Sequence, residues 1–167
     1  LFLIVAILTT TVALAATGNK IKIGVVGPMA FKVGQMEWWG AKIAADEINE
    51  AGGVMVNGVK HKIELVKVDS NELKSITTAV GAVERLITRD KVNFITGGYT
   101  TEAVMAMQEV SVNHHTIFMG GAGSPKLTMR VAKNYDKYKY YFRSIHLNAT
   151  NFITSGFSIL HMAVDKV

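Results

Sequence analysis

The 167-residue chain contains no cysteine and only two prolines. Without cysteine there is no disulfide scaffold, no thiolate metal site, no cysteine nucleophile and no lipid-modified N-terminal cysteine. So little proline, beside 15 glycines, excludes a collagen-like or low-complexity chain. Charged residues make up 19% and hydrophobic residues 49%, the reverse of a disordered or acidic-tail composition. Catalytic signatures are missing too: there is no G-x-S-x-G, no P-loop and no H-E-x-x-H. The dinucleotide fingerprint is absent, because Gly24-x2-Gly27 runs into Pro28. His114 and His115 are adjacent and face about 100° apart on a helix, so they do not share a metal as i, i+4 histidines do. His61, His146 and His161 stand alone. No catalytic residue, metal site or cofactor is expected.

The net charge of +5 is concentrated in one place. Lys126, Arg130, Lys133, Lys137, Lys139 and Arg143 face the single acid Asp136, and the rest of the chain is neutral. Tyr135, Tyr138, Tyr140, Tyr141 and Phe142 interleave the bases. Basic and aromatic residues together can stack on single-stranded nucleic acid. One short cluster lacks the rest of such a module, so the reading is a solvated basic loop leading into a tyrosine-rich strand, with no nucleic-acid partner.

Residues 1–16, LFLIVAILTTTVALAA, carry no charge and no proline and end in a small-x-small pattern at Ala13-Leu14-Ala15. The run is too short to be a typical membrane span, which needs about 20 apolar residues. It reads as the hydrophobic and cleavage regions of a secretory signal, without the basic region that normally precedes them. A chain exported to the periplasm or the outer face of the membrane is expected. The segment is either cleaved or kept as an anchor.

Beyond it, strands and helices alternate. Lys20 to Val26 reads as a buried strand stopped by Gly27-Pro28, followed by a helix from about Gln35 to Ala51 with Trp38, Ala41, Ala45 and Ile48 on one stripe. Gly52-Gly53 closes that helix, and Asn57-Gly58 between Val54–Val56 and Val59–His61 is a hairpin signal. Ile63 to Val68 is the next core strand. The helix predicted from Leu73 to Arg89 has the clearest periodicity, with Ile76, Ala79, Val80, Val83, Leu86 and Ile87 on one face. A strand at Val92 to Thr96, a helix at Thr101 to Asn113 and a strand at Thr116 to Met119 complete the series. The order predicts βαβ units and an α/β fold with a parallel sheet between helices, three layers in all.

Ligands in such sheets sit outside the carboxyl ends of the strands. Three glycine-bearing loops qualify: 27–34, 97–101 and 120–125. Their glycines either let backbone amides approach a ligand or only form tight turns. The strand-end crevice leaves two classes open, a solute-binding protein and a flavodoxin-like or nucleotide-binding enzyme or regulator.

Several stretches resemble a family. Ile21-Lys22-Ile23-Gly24-Val25-Val26-Gly27-Pro28 resembles the first strand of type I periplasmic binding proteins, in particular the branched-chain amino-acid receptors of ABC transporters. Gly40-Ala41-x3-Ala45-x2-Ile48-Asn49-x2-Gly52-Gly53 is similar to their first helix and its glycine pair. Val66-Lys67-Val68-Asp69-Ser70 and Gly120 to Leu127, GGAGSPKL, continue the likeness in order along the chain. The resemblance implies a non-enzymatic importer component that binds an amino acid or a related carboxylate or amide and docks on an ABC permease. It further implies ligand contacts from Phe31, from Tyr99, Thr100 and Thr101, and from Gly121, Ala122 and Gly123. The family often carries threonine where Gly123 stands, so one hydroxyl anchor is missing here. Such proteins have two lobes. Residues 20–143 correspond to the first, and 144–167 to the start of a truncated second lobe.

Overall fold

The computed structural model describes residues 19–145 and, in a helical stretch, residues 151, 153–155, 157, 158 and 161. The expected export signal at residues 1–16 lies outside the described residues, as does most of 144–167. Among the described residues six strands form one sheet in the order β2-β3-β1-β4-β5-β6. β1 (Lys20–Gly27) is central, parallel to β3 (Val59–Asp69) from Lys20↔Lys62 to Gly27↔Asp69, and parallel to β4 (Phe94–Gly97) on its other side. β5 (Ile117–Gly120) and β6 (Tyr141–Arg143) continue in parallel. β2 (Val54–Val56) pairs antiparallel with β3. Its turn to β3 is Asn57-Gly58, with φ of 49° and 79°, the double left-handed geometry that a two-residue hairpin demands. The second arm of the hairpin and the following core strand form one continuous β3.

Side-chain alternation along the strands divides the sheet into two unequal faces. Val26, Val68, Ile95 and Phe118 point to one side, under α2 (Ile76–Thr88) and α3 (Thr101–Asn113). There they meet Ala79, Val83, Leu86, Val104 and Met107, a closed core. Burying each large aliphatic side chain fully contributes about 1.5–3 kcal/mol. Gly24 suits this packing, since a Cβ there would lie 2.7 Å from Leu86 Cδ1 and the leucine would have to move aside. The other face holds Ile23, Val25, Ile63 and Leu65 and is covered by α1 (Lys32–Glu50). Asn49 fixes the end of α1 to β3: its amide donates to the Ile63 carbonyl at 2.9 Å and accepts the Ile63 N–H at 2.7 Å. Lys62 adds a bond from its Nζ to the Asn49 carbonyl.

Element boundaries follow their caps. α1 begins at Lys32, three residues before the expected start. α2 begins at Ile76 rather than Leu73, because the Ser75 hydroxyl accepts the Thr78 amide at 3.2 Å and sets the N-cap there.

The basic segment is a correction to the expected solvated loop. It forms α4 (Pro125–Lys133) and the short α5 (Tyr135–Tyr138), and only then the strand β6. Pro125 sits at the first helical position and Ser124 caps it, accepting the Lys126 amide at 3.3 Å. Two of the segment's bases and one tyrosine converge on Glu109 of α3. Arg130 and Lys137 pair with it at 3.1 and 2.7 Å, and the Tyr138 hydroxyl donates at 2.6 Å. Both cations also lie over the Tyr138 ring, at 5.2 and 4.9 Å from its centroid. Burial opposes ionisation of Glu109. The bonds from Lys137 and Tyr138 and the charges of Lys137 and Arg130 outweigh it, and hold the carboxyl below the usual carboxylate range.

Candidate functional site

Strand order reverses between β1 and β4, since α1 leads to β3 on one side and α2 crosses back to the other. The carboxyl ends of β1, β4 and β5 therefore open onto a crevice, the position where such sheets hold ligands. Gly97 makes the closest approach: its φ is +111°, and a Cβ would stand 2.1 Å from the Val26 carbonyl oxygen. No other residue fits there. The amides of Gly98 and Gly121 donate to Val26 O and Gly97 O at 2.8 and 2.9 Å, so the loops after β4 and β5 lie directly against each other. The loop after β1 joins the same edge through Asp69. One carboxylate oxygen of Asp69 accepts the Met29 amide at 3.0 Å and the Asn71 amide at 2.9 Å.

All seven residues expected in the site lie on these three loops. Phe31 is the N-cap of α1 and 39% exposed. Tyr99 is exposed, and Thr100 and Thr101 start α3. The Thr100 hydroxyl makes no capping bond, so the first-turn amides of α3, Thr101 to Ala103, have no side-chain cap. Ala103 is fully buried, so the amides of Thr101 and of the acid Glu102 are the candidate donors to a ligand anion. Ala122 is buried in the core and offers the crevice its backbone alone. The Gly123 carbonyl accepts Arg143 Nη1 at 3.3 Å.

Two acidic residues of this region were not legible as site residues. Glu72, buried beside the loop, accepts the amides of Tyr99 and Thr100 at 2.6 and 2.7 Å, and the Ser70 hydroxyl donates to its other oxygen at 3.0 Å. Two backbone donors that the sequence offers to a ligand carboxylate are thus taken by the chain itself. Glu37, on α1, reaches across the crevice. Its two oxygens lie 2.1 Å from a Cβ placed on Gly27 and 3.4 Å from one placed on Gly121. Burial, with the negative charge of Glu72 adding to it, pushes the Glu37 carboxyl up to about 7. A cavity of about 330 Å³ lies against it, lined by Val25, Thr96, Gly97, Gly121, Ser144 and Ile145 among others. Glu37 gives no sequence signal beyond its place on α1, since only the chain crossing brings it over Gly27. Among the described residues no group of three metal-ligating side chains occurs.

A glycine-lined crevice at the switch point of a parallel sheet, with an uncapped helix N-terminus in its wall, is a place where open α/β sheets hold small ligands. Residues 20–156 match the periplasmic binding protein family, and the chain belongs to that family. It is 34% identical over 112 residues to an amino acid binding protein of Pseudomonas aeruginosa, a match covering 65% of this chain and 28% of that protein. It is 26% identical to the leucine-specific-binding protein of Salmonella typhimurium, covering 95% of this chain and 40% of that one. Among solved structures it is similar to the branched-chain amino acid transporter substrate-binding protein LivJ of Streptococcus pneumoniae in complex with isoleucine. There the TM-score is 0.64 at 26% identity, over 77% of this chain and 34% of that one. The chain thus spans well under half the length of these relatives. The family consists of non-enzymatic, typically extracytoplasmic substrate-binding proteins, which sets the flavodoxin-like or nucleotide-binding alternative aside.

Proposed function

We propose that the chain is the first ligand-binding lobe of the solute-binding component of an ABC importer, exported to the outer side of the membrane and taking an amino acid of the branched-chain type. The observation that carries this is the crevice at the ends of β1, β4 and β5, where glycine backbone and the uncapped first turn of α3 come together. In this reading the ligand carboxylate rests on the amides of Thr101 and Glu102 and on the Thr100 and Thr101 hydroxyls. Backbone at Gly121, Ala122 and Gly123 forms the facing wall, and Phe31 and Tyr99 flank the side chain. Charge-assisted bonds of this kind contribute about 1.5–3 kcal/mol each when water is excluded. One lobe leaves the ligand open to water on its other side, which weakens them.

The test is a titration of the 167-residue chain with leucine, isoleucine, valine and short-chain amides, followed by amide NMR shifts. Millimolar binding that moves the signals of Gly97, Thr101 and Gly121 is expected, and Thr100→Val with Thr101→Val should remove it. Binding unchanged in that double variant would place the ligand elsewhere.

A further inference from the structure

We infer that Glu37 is a specificity-determining residue of the crevice, its carboxyl accepting hydrogen bonds from an alkylammonium group at the cationic end of the ligand. The inference rests on the proposed binding function of that crevice.

The geometry begins one turn earlier on α1. At Gly34 a Cβ would lie 2.4 Å from the Pro28 carbonyl oxygen, so the first turn of the helix is pressed onto the end of β1. Glu37 follows three residues later on the same face of the helix and is thereby laid over Gly27. Gly27 and Gly121 have no side chains to exclude it. The carboxyl is held in place and yet incomplete. Its Oε2 is buried and finds no hydrogen-bond partner among the described residues. An ionised carboxylate has about four acceptor sites and no donor of its own, so a buried one calls either for a proton or for a donor from outside the chain.

The surrounding charges select which donor. Within α1, the residues one turn away are Val33, Gly34, Gly40 and Ala41, all uncharged. The end of β1 brings Gly27 and Pro28, the end of β4 Thr96 and Gly97, and the loop after β5 residues 121–124, again without charge. At the end of β6, Arg143 turns its guanidinium to the Gly123 carbonyl. On the β3 side, Lys67, aligned with Val25, holds its ammonium over the Trp38 ring at 5.1 Å, and Asp69 is taken up by the Met29 and Asn71 amides. The charged group whose field reaches Glu37 is Glu72, an acid, already committed to the amides of Tyr99 and Thr100. Two carboxyls with no cation paired to either among the described residues repel an anion and attract an ammonium. The open donors of the α3 first turn suit the carboxylate end of the same ligand, so the crevice offers opposite polarity at two points. An α-amino acid has that pattern. A simple carboxylic acid has only half of it.

Because burial and Glu72 raise Glu37 to about 7, a proton and an ammonium compete for its oxygens near neutrality. A bound ammonium favours the ionised carboxylate and lowers the pH at which Glu37 titrates. Affinity for an ammonium-bearing ligand should therefore fall as pH drops below about 7, approaching tenfold per pH unit.

The experiment follows the Glu37 carboxyl by NMR in the 167-residue chain carrying 13C-labelled glutamate, the signal being assigned by its loss in Glu37→Gln. Three ligands are compared: leucine, 3-methylbutylamine, which lacks the carboxylate, and 4-methylpentanoate, which lacks the amine. Leucine and the amine should lower the Glu37 midpoint by about one pH unit or more, and 4-methylpentanoate should not. Glu37→Gln should weaken leucine about tenfold and leave 4-methylpentanoate unchanged. If leucine shifts the Gly97, Thr101 and Gly121 amides while the Glu37 midpoint stays put, or if 4-methylpentanoate lowers it equally, the inference is overturned and the binding function stands. If none of the three ligands moves those amides, the binding function fails and the inference with it.

Discussion

One oxygen of Glu72 holds the amides of both Tyr99 and Thr100, at 2.6 and 2.7 Å, and so fastens the loop after β3 to the loop after β4. Hydrogen bonds to a charged acceptor are the stronger kind, and these two are buried beside the helix N-terminus that the proposed ligand site uses. Glu72→Ala strands both amides and the Ser70 hydroxyl, and should destabilise the chain by about 3 kcal/mol. Glu72→Gln keeps an acceptor for the amides and loses only the charge, so about 1 kcal/mol is expected. Urea unfolding separates the two variants, and faster hydrogen exchange at Thr100 in the alanine variant locates the effect. Equal stabilities would show that the tie holds nothing.

Glycine substitutions should divide sharply by position. Gly97→Ala forces a Cβ to within 2.1 Å of the Val26 carbonyl at a φ of +111°, and the neighbour is backbone that cannot yield. Failure to fold, or a loss above about 4 kcal/mol, is expected. Gly40 and Gly81 lie inside α1 and α2, with no atom within 4 Å of the place a methyl group would take. Alanine at either should stabilise by roughly 0.5–1 kcal/mol, through helix propensity and a less disordered unfolded chain. Thermal unfolding of the three variants gives the comparison directly.

Much of this architecture is legible from residue pattern. The α2 stripe, the Asn57-Gly58 hairpin and the glycine punctuation are local signals, and local signals fix element type and order. The basic segment misleads because its purpose is tertiary. Lys137, Arg130 and Tyr138 look like a solvated surface until Glu109, distant in the chain, gathers them into helices packed on α3. The candidate site divides in the same way. Its glycine loops and threonines stand in the chain as motifs, whereas Glu37 and Glu72 become site residues only through chain crossing.

Stability should respond to pH at both ends, for opposite reasons. Glu37 has a folded-state value raised to about 7, so its contribution is fully present below the unfolded value of about 4.5 and is lost as pH rises through 7. Glu109 is lowered in the folded state, so its contribution is present above that unfolded value and is lost as pH falls through the folded one. Glu37→Gln should flatten the alkaline side of the profile, gaining roughly 1 kcal/mol at about pH 8 after allowance for the solvent that still reaches the side chain. Glu109→Gln should flatten the acid side and lower stability at neutral pH. Urea midpoints between about pH 4 and 8 test both signs. A Glu37→Gln profile parallel to that of the parent chain would mean that Glu37 ionises freely.

The face of the sheet under α1 is covered less completely than the other. Ile48, Phe94, Ile117 and Met119 are each more than a third exposed and border an apolar groove of about 310 Å³. α2 and α3 close the opposite face, but α1 lies along β1 and β3 and leaves β4 and β5 open beside it. Open apolar surface of this kind binds hydrophobic dyes and promotes association. The 167-residue chain is therefore expected to bind anilinonaphthalene sulfonate in its native state and to self-associate at concentrations of tens of micromolar. Met119→Lys places a charge at the rim of the groove, and its alkyl stem can lie along the apolar surface while the ammonium reaches water. Dye binding and association should both fall, with a stability change under about 1 kcal/mol. Ultracentrifugation of the two proteins decides the matter: a parent chain that sediments as a monomer and leaves the dye dark would show that the groove is closed in solution.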